Sequence, residues 1–371
     1  MNERCFPIMP SVMTAAAEAL IEWARQASRL LLGLALFLML GGEGMTLVLS
    51  NKLPGPWQQR EYSIGWTADR SLPKFDHGYV LYVRRVLQDG PQSDTIYLNS
   101  IATGDVKYVP FWLAGASTVW VDDVAIAPAH QMVVVGSVLR GRKVVNFMSQ
   151  VAPSGRVLAT VDMGSYEPEL VCVEGNGGVW TFGQDWDAER SDISYSMLRN
   201  YSMQGRLINS YLDNDSLPPV KLNFSTRLHG LAAAPGRVFL ECGTGSVGAY
   251  LGAARQWVEV TLADTQLRSW TVKLPSSGHV TGLALLGAHR VYGSFRAEGR
   301  STLYVRGIFT LNLSQPKDAT WEPVAGTLSF VTGPLNPPPV VVAGSDGQSL
   351  VYARWQSQAV NNAGTLFWVR P

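Results

Sequence analysis

From Val121 to Asp162 the chain alternates between short apolar, β-branched stretches and turn signals. Val124 to Ala127, Met132 to Leu139, Val144 to Val151 and Val157 to Val161 are cut by Ala-Pro-Ala-His at 127–130, Arg-Gly-Arg at 140–142 and Pro-Ser-Gly-Arg at 153–156. Runs of this length and composition, bounded by Gly and Pro, predict four buried strands joined by tight turns. A four-stranded antiparallel unit of about forty residues is the size of one propeller blade.

The same grammar returns along the chain. Hairpin turns expected before the last strand of each unit fall at Thr103-Gly104, Ser154-Gly155, Gln204-Gly205, Asp264-Thr265 and Pro316-Lys317. A second series, expected between the first two strands, falls at 127–130, Gly175-Asn-Gly-Gly178, Ala234-Pro-Gly-Arg237, Leu286-Gly-Ala-His289 and Ser345-Asp-Gly-Gln348. Two turn series in step predict units over 78–110, 121–162, 168–212, 228–273, 279–325 and 338–371. The expected fold class is therefore all-β, a β-propeller of six blades with seven as the alternative. The last unit runs out of chain after three strands, which would leave Thr365 to Arg370 as an open edge. Tyr62 to Trp66 has no partner of its own and alternates Tyr62, Ile64 and Trp66 on one face, so it is expected to pair antiparallel with that edge. Thr46 to Leu49 is the alternative donor.

Ahead of the units the pattern changes period. Within residues 1–29, Glu18, Glu22, Arg25 and Arg29 form one polar stripe, with Met13, Ala16, Ala17, Leu20, Ile21 and Ala24 on the remaining surface. This predicts an amphipathic helix. It leads into Leu30 to Leu40, which has no polar side chain, and on through Gly41-Gly42-Glu43-Gly44 to Leu49. Segment 30–49 reads as a secretory signal or a signal anchor, a hydrophobic helix standing apart from the β-domain; a buried soluble helix is the competing reading. No clear small-x-small cleavage site follows, which favours an anchor. Residues 50–77 read as a linker carrying the closing strand, and 78–371 as the propeller.

The recurring pattern best copied at Gly230-Leu-Ala-Ala-Ala-Pro-Gly-Arg-Val-Phe239 resembles the inner hairpin of NHL-like and TolB-like six-bladed propellers. The resemblance spans about 78–371 and is one of architecture. WD-repeat, sialidase and kelch signatures are not met, because Trp-Asp occurs only in Asp185-Trp186-Asp187 and Ser345-Asp346-Gly347 lacks the Thr-Trp that completes a sialidase box. Propellers serve as enzymes, receptors and scaffolds, so the resemblance implies a fold and no activity.

Composition narrows the choices. Lys plus Arg number 30 against 29 Asp plus Glu, a net charge of +1, which leaves no broad basic footprint and argues against nucleic acid as a partner. The three cysteines, Cys5, Cys172 and Cys242, are too few for a disulfide framework and read as buried free thiols. No zinc spacing is present, and no metal or other cofactor is expected. Gly243-Thr-Gly245-Ser-Val-Gly248 matches a dinucleotide fingerprint, with Asp264 at the appropriate distance, but no crossover helix or parallel strand follows, so it reads as an inter-strand loop. His130 and His289 occupy equivalent turns.

The segment Gly183 to Asp192 holds the candidate site. It joins the second and third strands of its unit, on the face where propellers usually bind ligands. Asp185, Trp186, Asp187 and Arg190, with His229 at the start of a neighbouring inner strand, form the expected ligand-binding set. The leading expectation is an extracytoplasmic, membrane-anchored or secreted binding module for an unidentified protein or glycan partner. The alternatives are a glycan hydrolase or lyase using Asp185, Asp187 and Glu189, and a structural component of a cell-envelope complex.

Overall fold

The structure, a computed structural model, describes residues 60–65, 74–85, 92–217, 237–274, 278–298, 303–315, 317–324, 329–332, 340–347, 349–356 and 363–369. The readings made for 1–49, for His229 and for the remainder of the 218–236 connection lie outside these residues. Among the described residues, no helix is long and apolar enough to cross a membrane.

The described chain is all-β and propeller-like, built from antiparallel four-stranded units. The first comprises β2 (Lys74–Asp76), β3 (Tyr79–Arg85), β4 (Gln92–Ser100) and β5 (Val106–Pro110). The second comprises β6 (Thr118–Ala127), β7 (Gln131–Arg140), β8 (Lys143–Val151) and β9 (Val157–Asp162). The third comprises β10 (Tyr166–Val173), β11 (Val179–Asp185), β12 (Ser196–Tyr201) and β13 (Leu207–Asp213). Next come β14 (Val238–Gly243), β15 (Ser246–Leu251), β16 (Gln256–Thr261) and β17 (Leu267–Lys273). They are followed by β18 (Gly278–Leu285), β19 (Val291–Glu298), β20 (Leu303–Asn312) and β21 (Asp318–Pro323), with β22 (Ser329–Thr332) added beside β20. The last unit holds β23 (Val340–Ser345), β24 (Leu350–Gln356) and β25 (Ala363–Val369).

That unit takes its fourth strand from the other end of the chain. β1 (Arg60–Gly65) pairs antiparallel with β25, Tyr62 opposite Leu366 and Ile64 opposite Gly364. The first strands lie side by side around the domain: β6 against β10, β10 against β14, β14 against β18, β18 against β23, and β23 against β2. All five hairpin turns read as preceding a last strand do so, and Gly104, Gly155, Gly205, Thr265 and Lys317 take positive φ there.

Sandwiching between neighbouring sheets explains why the strands are apolar nearly throughout. On β7, Met132 and Val134 pack toward the first unit with Leu81, Ile96 and Phe111, whereas Val133 and Val135 pack toward the third with Val171, Val173 and Tyr201. Both faces of the strand are buried, so alternation disappears from the sequence. Trp180 and Trp257 are the largest fully buried side chains, each contributing on the order of 3 kcal/mol through lost apolar exposure. Glu259, fully buried on β16, accepts hydrogen bonds from the Trp257 indole N–H (3.0 Å) and the His289 backbone N–H (2.9 Å) and so ties the fourth unit to a turn of the fifth.

Several inner strands carry a β-bulge at the same place, at Asp122 on β6, Glu169 on β10, Thr281 on β18 and Ala343 on β23. Opposite two of them the partner strand comes so close that only glycine fits. A Cβ on Gly136 would stand 2.1 Å from the Trp120 carbonyl oxygen, and one on Gly183 2.0 Å from that of Glu167.

Three expectations need correction. Cys172 and Cys242 are not free thiols: they form a disulfide between β10 and β14, with Cα atoms 5.6 Å apart. Their neighbourhood arises from the side-by-side register of two inner strands, which no local pattern carries. The turn read at 234–237 does not separate the first two strands of its unit. It precedes β14, and the separating turn is at Thr244-Gly245, within the glycine-rich segment read as a longer loop. Gly248 lies in β15, where a Cβ would meet the Trp257 indole at 2.2 Å, so this glycine serves packing. Finally, the segment read as linker contributes β2, a strand too short to register against Pro73 and the surrounding polar residues.

Candidate functional site

Two regions bring chemistry together. The first lies where the inner strands converge, and its residues went unnoticed in the sequence. Lys74 on β2 donates to Asp123 Oδ2 on β6 (3.1 Å) and reaches past that strand to the Val171 carbonyl on β10 (2.5 Å). Asp123 Oδ2 also accepts the Val171 N–H at 2.9 Å, and Oδ1 accepts the Val124 N–H at 2.8 Å. At the end of β2, Asp76 accepts the Ile126 N–H at 2.7 Å and pairs with His77 Nδ1 at 2.6 Å. A single charge cluster thus stitches three inner strands together.

Glu241 on β14 feels Lys74, Asp76 and Asp123, although β14 is not adjacent to either β2 or β6. Lys74 and Asp123 remain 21% and 18% exposed. Burial pushes the Glu241 carboxyl up to about 8, against the pull of Lys74. Burial opposes the Lys74 ammonium, yet the carboxylates of Asp123, Asp76 and Glu241 outweigh it and hold its pKa above the ordinary value. His77 is raised by its hydrogen bond to Asp76.

The raised carboxyl makes a measurable pH dependence. Between its ordinary value of 4.5 and about 8, folded Glu241 keeps a proton that the unfolded chain has released. Its contribution is therefore fully present below the unfolded pKa and is lost as pH rises through the folded one. Discounted for partial solvent contact, the loss is about 2 kcal/mol. Glu241→Gln should melt with the wild type near pH ~5 and about 4 °C above it near pH ~9. Parallel melting curves across that range would remove Glu241 from the account.

The second region is the predicted one. The predicted segment 183–192 covers the end of β11 and most of the connection to β12, which opens on a short helix, α1 (Trp186–Arg190). Asp185 caps it, accepting the Ala188 N–H at 3.3 Å, and pairs with Arg199 on β12 at 3.3 Å. Arg199 in turn lies 3.7 Å over the Tyr166 ring. Burial raises the Asp185 pKa, but hydrogen bonds from Ser165 and Ala188 and the Arg199 charge outweigh it, leaving the group below its ordinary value. The Trp186 indole donates to Glu167 and stays 39% exposed. Asp187, Glu189 and Arg190 point outward beside Ile193, which is 59% exposed. Among the described residues, no group of three or more His, Cys, Asp or Glu is placed to hold a metal ion.

A sequence signal for the axial site did exist. Buried strands keep Asp or Glu only where partners are supplied, and Asp123 and Glu241 interrupt largely apolar strands. The partners themselves come from other units.

No family model and no curated protein matches this sequence. Among solved structures it is similar to U3-55K, with a TM-score of 0.44 at 9% identity over 83% of this chain and 98% of that one. It is also similar to a luciferin-regenerating enzyme, with a TM-score of 0.42 at 11% identity over 85% of this chain and 96% of that one.

Proposed function

We propose that this chain is an extracytoplasmic six-bladed propeller, held at a membrane through its N-terminal segment, that binds a protein or glycan partner on the face carrying α1 and catalyses no reaction there. The observation that carries the reading is the state of Asp185. A glycoside hydrolase needs one carboxyl kept protonated as general acid. Asp185 is instead committed to the α1 cap and Arg199, with its pKa lowered. The outward charges of Asp187, Glu189 and Arg190, next to the Trp186 and Ile193 side chains, suit recognition. The shared β1–β25 closure supports the count of six, since it completes the last four-stranded unit. The Cys172–Cys242 disulfide supports an oxidising compartment.

Cross-linking in intact cells, comparing wild type with an Asp187→Asn/Arg190→Gln variant, tests this. The expected result is a specific cross-linked partner lost at least about tenfold in the variant, with no turnover by either protein on a glycan panel. Glycan turnover by the wild type that disappears in the variant would establish the hydrolase instead. A partner retained by the variant would move recognition to another face, as the structural-component reading requires.

A further inference from the structure

Two exposed segments of opposite charge flank the connection between the second and third units. The β7–β8 hairpin turns at Arg140-Gly-Arg-Lys143, three exposed cations in four residues, and the stretch 131–156 around it contains no Asp or Glu. A Cβ on Gly141 would meet nothing within 4 Å, so this tip stands clear of the protein. Val144 beside it is 55% exposed. Ser117 donates to the Leu139 carbonyl through its N–H (2.8 Å) and its hydroxyl (3.1 Å). These bonds fix the loop that carries the exposed Trp112 against the base of the tip.

The connection from β9 to β10 lies between the tip and α1. Asn146, three residues beyond Lys143, donates from Nδ2 to the Gly164 carbonyl at 3.1 Å, and its own carbonyl accepts the Met163 N–H at 2.9 Å. One residue on, the Ser165 carbonyl accepts the Trp186 N–H at 3.2 Å. Tip and α1 are thus held on the two sides of residues 163–165. Past that connection the sign reverses. Asp187, Glu189 and Asp192 are exposed against the single cation Arg190, with exposed Trp186 and Ile193 among them. Among the described residues, none of these charged side chains enters an ion pair.

A basic half beside an acidic half complements itself. A half-turn about an axis near the connection lays the tip of one molecule on α1 of another, and the reverse, as a two-fold interface requires. Both contacts then join opposite charges and cover apolar side chains. A ligand of one sign would be drawn to one half and repelled by the other.

We propose that this surface is a two-fold interface with a second copy of the chain, the 140–144 tip of each molecule seated on α1 of the other. The second copy is then the protein partner of the α1 surface, and the interface rests on that surface being a binding site.

Sedimentation velocity of the full chain in a non-ionic detergent tests this with two charge-reversed variants, Arg142→Glu/Lys143→Glu and Asp187→Lys/Glu189→Lys. The wild type should form dimers that weaken as salt rises. Each variant alone should dimerise at least about a hundredfold more weakly, because like charges then meet in both contacts. An equimolar mixture of the two should recover the dimer, since both contacts again join opposite charges. If a variant fails to fold, carbodiimide cross-linking of mixed isotopically light and heavy wild-type chains supplies the readout, joining Lys143 of one to Asp187 or Glu189 of the other. A monomeric wild type, a dimer equally strong in either variant, a mixture that stays monomeric, or cross-links confined to single chains would overturn the interface. If the wild type is monomeric yet loses a cross-link to another protein in Asp187→Asn/Arg190→Gln, the α1 surface keeps its role and only the second copy falls. With neither self-association nor such a cross-link, both fall.

Discussion

A chain from which residues 60–65 are deleted should lose its cooperative melting transition or melt at least about 10 °C below the full chain. The deletion removes β1, which pairs with β25 from Arg60 opposite Trp368 to Gly65 opposite Ala363. β25 would then present a row of unpaired N–H and C=O groups, an edge open to aggregation. With a net contribution of about 1 kcal/mol per hydrogen bond, the lost ladder alone approaches 5 kcal/mol. The damage spreads further, because β23 of the same unit packs against both β18 and β2. Weakening that unit loosens the junction between the first and last parts of the domain. Thermal melting by circular dichroism measures the effect, and a synthetic peptide of residues 60–65 added in trans should recover part of it. Identical melting of the deleted and intact chains would mean that β1 does not close the domain.

Replacing both Cys172 and Cys242 by alanine should lower stability by about 4 kcal/mol, the chain-entropy value for a bridge of this span. The bridge joins residues 70 apart in sequence and pins β10 to β14, so without it the unfolded chain gains freedom that the folded one does not share. For a domain of this size the change corresponds to a fall of roughly 8 °C in melting temperature. A thiol reductant should produce the same fall in the wild type and none in the double variant. Insensitivity of the wild type to reductant would show that the bond is absent from the protein as isolated, and would withdraw the support that it lends to an oxidising compartment.

Hairpins were the most legible part of the fold. Ser154-Gly155 and Gln204-Gly205 mark their turns because positive φ favours glycine, and a hairpin is complete within about twenty residues of chain. The closing strand was legible by counting: three strands at the C-terminus and one unpartnered strand near Tyr62 implied the β1–β25 pairing. The β14 unit was misread, since Gly230 to Phe239 copies the inner-hairpin pattern while Ser246 to Leu251, rich in small residues, hides a strand. At the predicted site, the sequence located the β11–β12 connection but not the commitment of Asp185, whose partner Arg199 becomes adjacent only when β12 folds back along β11.

The local order of strands and turns, the all-β class and the need for a borrowed strand were therefore determined by the sequence itself, because each rests on backbone preferences and on periodicity within a few tens of residues. Which inner strands stand side by side was decided by the tertiary structure. That decision brings Cys172 to Cys242, Lys74 to Asp123 and Val171, and Glu241 within reach of charges from other units. Disulfide formation and electrostatics act through space over a few ångströms, and the residues involved are separated in the chain by about 50 to 170 positions, so their meeting is set by the packing of whole sheets.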